Sequence, residues 1–171
     1  MTQATLTFTR NGAAAQSITI PIAPYAPGIF AMNGQGTGQA AALIAGTTAI
    51  AAPVGAFTAS RPAHPGEYIS LYATGLGPVN EPIRLSTGGA TPPPGPYTPG
   101  VPLFPTTTQP TVTVGGVPAT VQFSGLAPDL VGVYQINVQI PATAPAGAAV
   151  PVVLSMGGFQ AVAVTIAIGP S

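Results

Sequence analysis

The stretch Tyr134-Gln135-Ile136-Asn137-Val138-Gln139-Ile140-Pro141 decides the fold class. Polar amides at 135, 137 and 139 alternate with apolar residues at 134, 136, 138 and 140. That period of two places one side of a β-strand in a core and the other toward water. Pro141 ends the run, because proline has no N–H to give a ladder. Toward the C-terminus, Val150, Val152 and Leu154 share a face and Gly157-Gly158 supplies a turn. Val162, Val164, Ile166 and Ile168 then alternate with small residues, so this end reads as a hairpin. Toward the N-terminus, Val112 and Val114, the pair Gly115-Gly116 and residues 120–123 form a second hairpin signal. Residues 67–75 set Tyr68, Ser70 and Tyr72 against Ile69, Leu71 and Ala73. Both faces are fairly apolar, which predicts a central strand. Residues 39–44 read as a strand, with a short helical turn as the alternative that alanine leaves open.

Composition narrows the chemistry. The 171 residues suit one domain, and 3 Lys+Arg against 3 Asp+Glu leave 4% charged, where a soluble domain has about 25%. Arg10, Arg61 and Arg84 stand apart, so no patch can neutralise several phosphates and nucleic acid is not an expected partner. With 22 Gly and 22 Pro, disorder would be the first thought; a 46% hydrophobic fraction and mean hydropathy of +0.48 favour short ordered strands joined by turns. The absence of cysteine excludes disulfides and thiolate chemistry. The uncharged spans 11–60, 85–128 and 130–171 are all cut by proline or glycine, so no transmembrane segment is expected. Residues 91–110, dense in proline, read as a stiff surface connector.

Residues 1–23 form a further strand–turn–strand pattern, with Leu6, Phe8, Ile18, Ile20 and Ile22 as an apolar row. A lone hairpin is marginal in water, so this row needs cover. Its pattern matches that of the C-terminal hairpin, which makes it look like the closing piece of a preceding unit. Such a piece can fold back on its own domain or complete a sheet in a neighbouring molecule. Residues 24–34 then read as a linker, with Tyr25, Ile29 and Phe30 as apolar plugs between units, and residues 35–171 as the main domain.

Ionisable residues offer little. His64 and Glu67 would need further metal ligands, and the other carboxylates are Glu81 and Asp129. A glycosidase pair would have to come from the same three carboxylates, without tryptophan platforms. A serine triad lacks its Gly-x-Ser-x-Gly elbow. The glycine segment 33–38 lacks the lysine of a phosphate loop. No catalytic residue, metal site or cofactor is therefore expected. Arg61 and Glu67 are expected to pair, and Asp129 to sit in a turn. Tyr68, Tyr72 and Tyr134 have core or inter-sheet explanations, which leaves Tyr97 in the proline-rich loop as the candidate ligand-binding tyrosine.

Several motifs also carry a resemblance. They are Ala26-Pro-Gly-Ile-Phe30, Gly38-Gln-Ala-Ala-Ala42, Pro65-Gly66 leading to Leu71-Tyr-Ala-Thr-Gly-Leu-Gly77, and Val114-Gly-Gly-Val-Pro-Ala119. Ala127-Pro128, Gly132-Val-Tyr-Gln-Ile-Asn-Val-Gln-Ile-Pro141 and Val150-Pro-Val-Val-Leu154 complete the set. Together they resemble the Solibacter-type C-terminal β-sandwich domain of acidobacterial extracellular proteins. The resemblance implies an exported module, extracellular or at the cell surface, with an immunoglobulin-like sandwich and no enzymatic activity. The expectation is thus an all-β chain: an immunoglobulin-like β-sandwich of about seven strands, preceded by a β-hairpin. Its expected partners are identical copies joined head-to-tail into a filament, the interface being Leu6, Phe8, Ile18, Ile20, Ile22, Tyr25, Ile29 and Phe30. The alternative is adhesion to a surface polysaccharide through Tyr97.

Overall fold

The computed structural model describes residues 2–13, 16–86, 88–92 and 103–170. Its centre is the pair foreseen by alternation: β8 (Tyr68–Thr74) and β11 (Tyr134–Gln139) run antiparallel, with Ile136 opposite Leu71 and Val138 opposite Ile69. All four side chains are sealed from water. On the far side of β11 lies β10 (Val117–Leu126), which carries a bulge between Val121 and Phe123. The start of β10 pairs with β9 (Thr111–Val114) across Gly115 and Gly116, both at positive φ. That is the backbone a two-residue hairpin turn demands.

From β9 the sheet continues into β12 (Gly147–Met156), with Leu154 opposite Val112 and Val152 opposite Val114. The outer side of β12 takes β13 (Phe159–Gln160) and β14 (Val164–Ile168). Across β8 from β11 lie β3 (Gly28–Ile29) and β5 (Ala42–Ile44), followed outward by β6 (Ile50–Ala51) and β7 (Ser60–Arg61). One further short strand, β4 (Gly38–Gln39), runs parallel to β14. The remaining strands, β1 (Thr2–Thr7) and β2 (Ser17–Ile22), form a separate two-stranded sheet.

The chain is all-β with an N-terminal hairpin, but the body is not a simple seven-stranded sandwich. Among the described residues it is one mixed, hydrogen-bonded sheet of twelve strands. The reason is β10: its first residues pair with β9 and the rest with β11, so two would-be sheets share one strand. The sheet also curls until its ends meet. The Ala63 N–H donates to Ala167 O at 2.9 Å, Gly169 N–H donates to Ala63 O at 2.8 Å, and Ala40 N–H donates to Thr165 O at 2.8 Å. Inside the curl, Ile44, Ile69, Leu71, Ile136, Val152 and Ile166 belong to one continuous apolar core.

The segment 24–34, expected as a linker, is laid along the body. Ala26 N–H donates to Gly75 O and Phe30 N–H to Tyr72 O, each at 2.9 Å, and Ile29 is buried opposite Ala73. Among the described residues, no helix is long and apolar enough to cross a membrane.

Candidate functional site

The hairpin is built by its own sequence. Asn11 and Gly12 both adopt positive φ, 53° and 75°, and Ala13 N–H closes the turn on Arg10 O at 3.0 Å. Asn-Gly is the dipeptide that tolerates this turn best. Leu6 pairs with Ile18, Ala4 with Ile20 and Thr2 with Ile22, whereas Thr5 pairs with Thr19 and Thr7 with Ser17. Because side chains alternate across a strand, one side is aliphatic and the other hydroxylic. Thr7 Oγ1 and Ser17 Oγ meet at 2.9 Å on the hydroxylic side.

Among the described residues, nothing covers the aliphatic side. Leu6, Phe8, Ile18, Ile20 and Ile22 are between 39% and 59% exposed. The other three residues expected beside them are placed differently. Phe30 is exposed, while Ile29 is taken by the chain's own core. Tyr25 is half-buried in the body, its ring lying against Gly77 and Gly157 and its hydroxyl 3.1 Å from Thr108 Oγ1. An added Cβ at either glycine would collide with that ring.

The hairpin's two edges differ, a feature that apolar patterning could not reveal. Phe8 N–H donates to Gln16 O, which marks that rung as a hydrogen-bonded pair. Alternation makes Leu6/Ile18, Ala4/Ile20 and Thr2/Ile22 bonded pairs as well. The outward backbone groups of β1 therefore belong to Gln3, Thr5 and Thr7, and those of β2 to Ser17, Thr19 and Pro21. Pro21 lacks the donor, so β1 is the more complete open edge.

The expected ion pair is present. Arg61 Nη2 lies 2.7 Å from Glu67 Oε1 and Nη1 lies 2.9 Å from Oε2, while His64 N–H donates to Oε2 at 2.7 Å. The guanidinium, helped by that backbone donor against a desolvation that works the other way, lowers the Glu67 carboxyl from 4.5 to about 2. His64 Nδ1 rests 3.0 Å from Pro170 O. Among the described residues, His and carboxylate side chains gather nowhere in a group of three or more. Asp129 takes the turn conformation at φ 64°. Tyr97 lies outside the described residues. The tyrosines expected in the core divide: Tyr134 donates its hydroxyl to Gly77 O, and burial raises its pKa. Tyr68 and Tyr72 instead alternate with the buried Ile69, Leu71 and Ala73, and so stand on the outer side of β8.

No protein-family model matches the chain, and neither the curated proteins nor the solved structures hold a match to it.

Proposed function

We propose that the protein is a non-enzymatic extracellular structural module that associates with identical copies, head-to-tail, through its N-terminal hairpin. The observation that carries this reading is the aliphatic row of β1 and β2, left wet among the described residues. The extracellular setting rests on the resemblance of residues 23–168 to an exported domain family.

Magnitudes say what kind of contact is needed. Covering the exposed part of the five side chains yields on the order of 4–7 kcal/mol gross, taking 1.5–3 kcal/mol for a whole side chain. Association itself costs about 4–15 kcal/mol. Burial alone is marginal, and strand addition along the open edge of β1 supplies the remainder. A contact between unlike surfaces repeats from copy to copy and grows a filament unless its rotation closes.

Size-exclusion with light scattering, followed by electron microscopy, tests this on the full chain and on a chain lacking residues 1–23. The expected result is a polymer that collapses to monomers on truncation. An unchanged mass overturns the role of the hairpin, and a mass that stops at two copies replaces filament growth with hairpin-to-hairpin pairing.

A further inference from the structure

The outer side of the central strand pair holds a second chemically defined surface. Register places Tyr72 opposite Gln135, Ser70 opposite Asn137 and Tyr68 opposite Gln139, giving three rungs on the side away from the core. Phe123 extends the middle rung at one end and Leu43 at the other. No charged side chain belongs to these rungs. The amides are already held in place. Asn137 Oδ1 accepts from Ser70 Oγ at 3.0 Å and from Gln135 Nε2 at 2.8 Å, and Gln139 Nε2 donates to Gly66 O at 3.1 Å. With those groups committed, Asn137 Nδ2 remains as a donor and Gln135 Oε1 as an acceptor. Neither has a hydrogen-bond partner among the described residues, nor do the Tyr68 and Tyr72 hydroxyls.

We propose that this surface binds a neutral oligosaccharide. Tyr68 and Tyr72 are four residues apart on one strand, so their Cα positions stand about 13 Å apart on the same side of the sheet. Both side chains are half-buried rather than sealed, and an aromatic ring suits the C–H side of a pyranose. The donor and acceptor fixed between them suit sugar hydroxyls, which both give and take a hydrogen bond. An anionic or cationic ligand would find no counter-charge here. The hairpin of a second copy fits poorly, because its aliphatic row would bury the Asn137 donor and the Gln135 acceptor with nothing to satisfy them. The site is independent of hairpin assembly.

Isothermal titration of the full chain with cellohexaose, mannohexaose and xylohexaose is the test, with hexagalacturonate as the charged control. At least one neutral hexasaccharide binds, and the charged one does not. Tyr68→Ala and Tyr72→Ala each weaken binding about tenfold, the effect of losing one ring contact. Tyr72→Phe keeps the ring and stays within about threefold, and thermal melts of every variant separate lost binding from lost fold. The proposal is overturned if no neutral sugar binds, if hexagalacturonate binds equally well, or if folded Tyr→Ala variants bind like the unaltered chain. A drop in assembled mass in those variants, with no change toward sugar, would assign the surface to a contact between copies and end the proposal.

Discussion

Glu67 shows how a chain so poor in charge uses what it has. Its carboxyl receives both guanidinium nitrogens of Arg61 and the backbone N–H of His64, in the loop that leads into β8. Its folded pKa, about 2, lies below the ordinary 4.5. The stabilisation is therefore complete above pH 4.5 and disappears as pH falls through about 2. The pair is about one-third exposed, so screening limits its worth to about 1 kcal/mol or less. Thermal melts between pH 6 and 2 should show Tm falling by roughly 2–4 °C from this group, and Glu67→Gln should remove that part of the slope. Tyr25 makes a different residue-level case. Its ring fits between Gly77 and Gly157, so Gly157→Ala displaces it and costs about 1–3 kcal/mol by overpacking and by the positive φ at that position. Urea denaturation measures the loss; an unchanged midpoint would mean that the ring is not held there.

At the scale of the element, the body and the hairpin obey opposite rules. Leu71 on β8 is fully buried, so Leu71→Ala costs about 2–5 kcal/mol in urea denaturation. Leu6 on β1 is 42% exposed, so Leu6→Ala costs the isolated chain within about 0.5 kcal/mol. The pair Leu6→Asp with Ile18→Asp should leave the body's melting unchanged yet abolish higher mass in light scattering, since two carboxylates cannot enter an apolar contact. The strands that sequence patterning reached are those with one wet side. Residues 134–140 alternate because amides at 135, 137 and 139 face outward, and the hairpin is legible because Asn11-Gly12 marks its turn. Among the strands it did not reach are β6 and β7, two residues each. Their surroundings are packed with alanines such as Ala40, Ala51, Ala52 and Ala63, all fully buried, and alanine carries no period. Their partners are also set by closure of the sheet, a long-range event that no local pattern encodes. Tyr68 and Tyr72 escaped for a related reason: where both parities of a strand are apolar, periodicity cannot say which side is the outer one.

The whole molecule carries almost no charge, and this decides how association should respond to solution conditions. Contacts of this kind are unscreened, so the assembled mass should not fall between 50 mM and 1 M sodium chloride. It should decline on cooling, because burial of aliphatic surface weakens in the cold. Light scattering across both ranges checks this, and dissociation by salt would point to an ionic contact instead. The stitch at Ala63 has a further consequence, for the order in which the protein can be made. Gly38 and Gln39 wait for Val164 and Thr165, and Ala63 waits for Ala167 and Gly169, more than a hundred residues later in synthesis. Such distant pairings form slowly. Until the ribosome has delivered those later residues the barrel-like wall has a gap, and a chain ended before them would carry that gap for good, sticky and easily cut.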